Sequence, residues 1–172
     1  MSDNTPDGSA TLDHPSVVRV RAALEAGGAE TVVVILQEHA RTAIAAADQL
    51  GVTVGQIANS LIFALPPVGH AAPEPLLVLT SGAHRVDTVK VADLLGVDRL
   101  DRADATFVRD RTGFAIGGVA PVGHPVPVRT LVDVSLAQYD EVWAAAGHPR
   151  SVFRTSYDQL LRLTGGLPAE VV

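Results

Sequence analysis

The chain has 172 residues, no cysteine and a formal charge of −6, and 47% of it is hydrophobic. That length supports one domain with a sizeable core and not two. The missing cysteine excludes disulfides, cysteine-ligated zinc, iron–sulfur clusters and a cysteine nucleophile. Lys90 is the only lysine among 13 basic side chains, so non-specific binding to nucleic acid, which needs phosphate neutralisation, is disfavoured, although a local arginine patch is still allowed. No uncharged apolar run approaches the roughly 18 residues of a membrane span, so no membrane partner is expected. The polar, acidic start Met1–Asp13 has no basic-then-apolar pattern and is not a secretory signal. It reads as a disordered lead-in, followed by one domain over 14–172, with a cytoplasmic location.

In chain order, Asp13-His14-Pro15-Ser16 starts a helix whose apolar positions are Val17, Val20 and Leu24 and whose stop is Gly27-Gly28. Thr31 to Leu36 is a β-branched run without polar alternation, which predicts a strand covered on both faces. Ala40 to Leu50 reads as helix stopped by Gly51. Thr53 and Gln56 form a capping-box pattern, leading into a strand from Asn59 to Leu65. After the loop from Pro66 to Pro75, Leu76 to Thr80 is a buried strand. Asp87 or Thr88 caps a helix closed by Gly96. Arg99-Leu100 is a minimal strand, Ala103 to Arg109 a short helix, and Phe114 to Ile116 a strand. Val126 to Val132 carries an interior proline, which predicts an edge strand. Ser135 to Ala146 fits helix or strand, Ser151 to Thr155 a last strand, and Ser156 caps a helix ended by Gly165-Gly166. Interleaved strands and helices give an α/β or mixed α+β class.

The common signatures are missing: no P-loop, no dinucleotide fingerprint and no G-x-S-x-G. The six histidines show no metal-binding spacing, so no metal and no cofactor are expected. The densest feature is Gly113 to Pro127, with glycines at 113, 117, 118 and 123 and prolines at 121, 125 and 127. It has two readings. One is a glycine–proline corner. The other is an oxyanion-type pocket in which the Gly117 and Gly118 N–H groups stabilise charge on a carbonyl oxygen. Gly123-His124-Pro125 and Gly147-His148-Pro149 repeat one local pattern, which turn chemistry alone can explain.

Four segments, spanning about His14 to Gly166, resemble the YbaK/prolyl-tRNA-synthetase-associated editing family of freestanding aminoacyl-tRNA deacylases. They are Gln56–Phe63, Ser81–Asp87 with Lys90, the G-x-x-x-P loop from Gly117 to Pro121, and the closing helix Tyr157–Gly165. The resemblance implies a single strongly curved, barrel-like mixed sheet wrapped by helices. It also implies hydrolysis of the ester joining a wrong amino acid to a tRNA 3′ end, with tRNA-Pro among the candidates. The partners would then be the tRNA acceptor end and, further, a synthetase. In the catalytic roles it places Asn59, Gly117 and Gly118. Ser81, Pro121, His124, Gly147 and His148 become substrate-binding candidates. Water or a ribose hydroxyl would take the place of a protein nucleophile. The family's usual lysine falls at Asn59, which brings no positive charge. That departure keeps alive an alternative, a binding module of the same fold that holds an amino-acid-like ligand, a tRNA end or a synthetase without turnover. Hydrolysis of a different small ester or amide is a third reading.

Overall fold

Strands that lack polar alternation need cover on both faces, and helices supply it here. In the computed structural model, which describes residues 8–172, the strands are β1 (Val33–Ile35), β2 (Ile57–Leu65), β3 (Glu74–Ser81), β4 (Asp101–Arg102), β5 (Arg129–Asp133), β6 (Val142–Ala145), β7 (Ser151–Thr155) and β8 (Leu167–Ala169). The helices are α1 (Gly8–Leu12), α2 (Pro15–Ala26), α3 (Ala43–Leu50), α4 (Thr88–Leu95), α5 (Ala105–Thr112) and α6 (Tyr157–Thr164). The strands form one mixed sheet in the order β1-β7-β6-β2-β3-β5-β8, with β4 attached to β2. The end strands β1 and β8 do not pair with each other, so the sheet does not close.

β2 is the axis. It pairs antiparallel with β3 along its whole length, and β3 continues in parallel to β5 and then β8. On its other edge the partner changes: β6 pairs in parallel only at Ile57 and Ala58, and β4 takes over at Phe63 and Ala64. One face of the sheet packs Ala58, Leu77, Leu79 and Val132 against Val17, Val20 and Leu24 of α2 and Leu160 of α6. The opposite face packs Leu76, Val78 and Leu131 against Val91 of α4, and Ile57 against Ala46 and Ala47 of α3.

Local chemistry sets most element ends. His14 Nδ1 accepts from the Ser16 N–H at the start of α2. Asp87 Oδ1 caps α4 through two N–H groups, and Ser156 caps α6. Several expectations need correction. Phe114 to Ile116 is not a strand. Of the three only Phe114 is buried, in a loop beneath the Arg19 guanidinium, while Ala115 and Ile116 are exposed. β5 is not an edge: Pro127 precedes its first residue, so the missing N–H falls outside the ladder. The first strand is not covered on both faces: Val33 is buried, while Val34 in it and Val32 just before it are exposed. Ser135 to Ala146 resolves into a 3-10 turn, Val134–Gln138, and then β6. The C-terminal β8 has no counterpart among the expected elements. Of the lead-in, residues 8–12 form α1, Asp13 follows in a turn, and residues 1–7 lie outside the described residues.

Candidate functional site

The partner change on β2 creates the site. β6 leaves β2 after Ala144 because its next residues turn to β7: the Ala146 N–H donates to Ser151 O and the Ser151 N–H to His148 O, each at 2.9 Å. Gly147 makes that turn at φ 101°, and a Cβ there would collide with Ser16 O. The edge of β2 at Asn59 and Ser60 is thus left without a strand partner, and the fork encloses a cavity of about 80 Å³. Its walls include Asn59 and Ser60 of β2, Ala144 and Ala145 of β6, Gly117 and Val119 of the loop, His148, and the start of α3. Small residues dominate it, and Arg41 is the only permanently charged side chain on the wall.

The loop is braced from behind. α5 ends at Gly113, whose carbonyl accepts from Arg19 Nη2 at 2.6 Å. The Gly118 N–H donates to Ala115 O at 3.0 Å, closing a turn. That donor is therefore spent inside the loop and is not offered to a ligand, contrary to the expectation for Gly118. Gly118 has another reason to be glycine: a Cβ there would lie 3.2 Å from His148 Cα, so the loop and the β6–β7 turn touch through backbone. Gly117 sits at φ 90°, where an added Cβ would meet nothing within 4 Å. The N–H groups of Gly117 and Val119 carry no hydrogen bond among the described residues. They are the open donors that this wall presents.

Across the cavity, among the described residues, the Asn59 side chain makes no hydrogen bond and Ser60 Oγ is buried without a partner. A buried orphan hydroxyl is uncommon and costs roughly 1–3 kcal/mol. No lysine compensates for Asn59. Lys90 lies on α4, with its ammonium donating to Val172 O at 2.6 Å. His148 Nδ1 accepts from the Arg150 N–H at 3.0 Å, which leaves Nε2 as the proton-bearing nitrogen. Burial first, then the neighbouring His14, His39 and Arg150, hold its pKa below the ordinary imidazole value.

The structure therefore brings Asn59, Gly117 and His148 together on one cavity, with Gly118 and Gly147 shaping the backbone behind it. It does not bring Ser81, Pro121 or His124 there. Ser81 Oγ is buried and donates to Gly55 O at 2.8 Å. Pro121 and His124 lie on the other side of the loop, in a groove with Gly27 of α2 and Leu163 of α6. His124 Nε2 donates to Ala120 O at 2.8 Å, and burial pushes that histidine's pKa down. Ser60, Val119 and Arg41 escaped the sequence reading because nothing local distinguishes them.

A Ser–His–Asp grouping does occur elsewhere, at Ser135, His84 and Asp133. Both oxygen partners crowd one ring nitrogen: His84 Nδ1 lies 3.0 Å from Asp133 Oδ2 and 3.2 Å from Ser135 Oγ. A nucleophile–base–orienter chain needs the two ring nitrogens separately, so this cluster is a structural tie. Burial alone would raise the Asp133 pKa. The Ser135 hydroxyl and N–H, the Ser81 N–H and His84 outweigh it and hold the carboxyl below its usual range. No group of three or more His, Asp or Glu side chains is placed to hold a metal among the described residues. No described helix is long and apolar enough to cross a membrane.

The sequence profile of the aminoacyl-tRNA editing domain matches residues 37–163, a span that contains Asn59, Gly117 and His148. The chain belongs to the aminoacyl-tRNA editing domain family. A solved structure of a candidate trans-editing enzyme for prolyl-tRNA synthetase superposes on this member with a TM-score of 0.80 at 44% identity, covering 91% of this chain and 96% of that one. EbsC of Enterococcus faecalis, a candidate Cys-tRNA(Pro)/Cys-tRNA(Cys) deacylase, is 25% identical over 125 residues, 73% of each chain. The proline–tRNA ligase of Leuconostoc mesenteroides is 37% identical over 76 residues, which is 44% of this chain and 13% of that enzyme. The match thus takes in a small part of the synthetase and nearly all of the solved trans-editing structure.

Proposed function

We propose that this chain is a trans-editing aminoacyl-tRNA deacylase that hydrolyses the ester of a mischarged tRNA, with tRNA-Pro the first choice. The observation that carries the reading is the cavity at the β2–β6 fork, which gathers Asn59, Gly117 and His148 around a space of about 80 Å³. Such a space suits an aminoacyl group with a side chain of alanine or serine size. The ester carbonyl would sit against the open N–H groups of Gly117 and Val119, which would stabilise the negative charge that grows as the carbonyl is attacked. The Asn59 amide would orient the ester or the terminal ribose, and His148 would donate from Nε2. Ser151 lines the cavity beside His148, but its Oγ is tied to the His148 backbone N–H and carbonyl and not to the ring, so water or a ribose hydroxyl of the substrate would make the attack. The setting for this work is the cytoplasm, with the tRNA acceptor end as partner and a synthetase as the source of the mischarged tRNA.

The neutral Asn59 favours a second reading, a binding module that keeps the cavity and has lost turnover. A panel of mischarged tRNAs separates the two. Faster deacylation than in buffer for at least one small amino acid supports the enzyme. Binding without turnover, with activity appearing in Asn59→Lys, supports the module.

A further inference from the structure

Three histidines from three separate segments meet at the rim of the cavity. His14 precedes α2, His39 lies between β1 and α3, and His148 is on the β6–β7 turn. The His14 and His148 ring centroids are 5.2 Å apart, and those of His39 and His148 are 5.5 Å apart, both edge-to-face. Two of the rings are fixed in one tautomer. His14 Nδ1 accepts from the Ser16 N–H at 3.2 Å and His148 Nδ1 from the Arg150 N–H at 3.0 Å. Each therefore displays a proton on Nε2. His39 has no hydrogen bond to either ring nitrogen among the described residues.

This arrangement argues against a metal. Ligation through Nε2 needs Nδ1 to be a donor, whereas here it is an acceptor in two of the three rings. The charges around the cluster point to an anion. The charged or titratable neighbours acting on His148 are His14, His39 and Arg150, all neutral or cationic, and Arg41 stands on the same cavity wall. Asp13 and Glu38, next in sequence to His14 and His39, form no ion pair with them among the described residues. Donors thus converge with no ion-paired carboxylate among the described residues, beside the cavity that His148 lines.

The geometry points to a phosphate-binding subsite made by His14, His39, His148 and Arg41, which holds a backbone phosphodiester of the tRNA 3′ end outside the cavity. This rests on the proposed tRNA substrate. It would give the chain, at the rim, a conditional positive charge in place of the lysine absent at position 59. Of the three rings only His39 has both nitrogens free of an N–H donor, so it is the one that can take up a proton beside an anion without losing a hydrogen bond, and docking strengthens as pH falls.

The test is binding of an uncharged RNA acceptor minihelix ending in CCA, followed by fluorescence anisotropy at pH 6.5 and pH 8.0. The proteins compared are the wild type, His39→Gln, and the double variant His14→Gln/His39→Gln. Because His14 also caps α2, the single variant keeps the test readable if the double one is unstable. The expected result is tighter wild-type binding at pH 6.5 than at pH 8.0, with a loss of about 5–10-fold in His39→Gln at the lower pH that shrinks at the higher one, as expected for losing a charge-assisted contact. Equal affinities of wild type and His39→Gln at both pH values would overturn the subsite. So would chemical-shift changes of the histidines with inorganic phosphate but no effect of the variants on the minihelix, because the anion would then be free phosphate. Binding needs no turnover, so a chain that binds RNA in this pH-dependent way without deacylating it would sink the proposed activity and leave the subsite standing.

Discussion

Gly117→Ala separates a functional loop from a mere corner. At φ 90° an alanine is strained whatever space surrounds it, and nothing lies within 4 Å of the new methyl group, so no clash adds to the cost. The strain of a left-handed L-residue is about 1–2 kcal/mol, which in a domain of this size lowers Tm by about 2–8 °C. Gly165, the left-handed C-cap of α6, is the matched control: its φ is 63° and its added Cβ also meets nothing within 4 Å, but it lies away from the cavity. Both variants should lose similar stability. Only Gly117→Ala strains the backbone of a loop that lines the cavity. Deleting an oxyanion donor costs about 10²–10³ in rate, and displacing one should cost less, about 10–100-fold in kcat/KM. The assay is single-turnover deacylation of a mischarged tRNA that the wild type accepts, with Tm measured on the same samples. If the two variants stay within about 3-fold of each other in kcat/KM, a difference below 1 kcal/mol, the loop amides are not part of the chemistry.

Other outcomes follow from the same geometry. Asn59→Lys should raise the rate about 5–10-fold, since a charge-assisted hydrogen bond to the substrate is roughly twice as strong as a neutral one; a fall in kcat would mean that the amide itself is needed. Ser60→Ala removes a buried hydroxyl that has no partner, so Tm in a thermal melt should hold or rise, while KM rises about 5-fold if a substrate atom uses that hydroxyl, the worth of one ordinary hydrogen bond. Asp133 has a folded pKa below its unfolded one, so its contribution is present above about pH 4 and lost as pH falls through the folded value. Urea titrations of Asp133→Asn should accordingly show about 1–3 kcal/mol less stability at pH 7, where charged-group hydrogen bonds are weakened, and a flatter profile below pH 4 than the wild type.

Short-range chemistry was legible, and long-range pairing was not. The capping box is real: Gln56 Oε1 accepts from the Thr53 N–H at 3.1 Å. Asp87, Ser156, Gly51 and Gly96 end their helices as their side chains or their freedom at positive φ require. Phe114 to Ile116 misled because only Phe114 is buried, in a loop that turns inward, and Ala115 and Ile116 are exposed, so the apolar run marks neither a strand nor a buried segment. The proline rule for β5 failed by two residues, the distance between Pro127 and the first ladder residue, Arg129. The clearest case is the pair of Gly-His-Pro elements. His124 and His148 have the same local surroundings in sequence, yet His124 is tied to Ala120 O beside α2 and α6, and His148 lines the cavity. The difference lies in which distant strand each turn packs against, and no local pattern carries that information.

The same limit applies to the loop donors and shows what the fork contributes. Sequence offers Gly117 and Gly118 as equals. The turn that closes from Gly118 to Ala115 removes one of them, and the backbone contact of Gly118 with His148 fixes the height at which Gly117 and Val119 face β2. That contact exists only because β6 abandons β2 after Ala144 and carries His148 over the loop. The divergence of two strands therefore exposes the edge of β2, sets the spacing between Asn59 and the loop amides, and brings the histidine rim to the entrance. A cavity built in this way polarises a carbonyl with backbone dipoles held by the fold, so its chemistry should tolerate a neutral residue at position 59 far better than it tolerates a shift of the β6–β7 turn. Gly147→Ala tests this: its Cβ has to displace the backbone at Ser16 O, and deacylation should fall more than in Asn59→Ala.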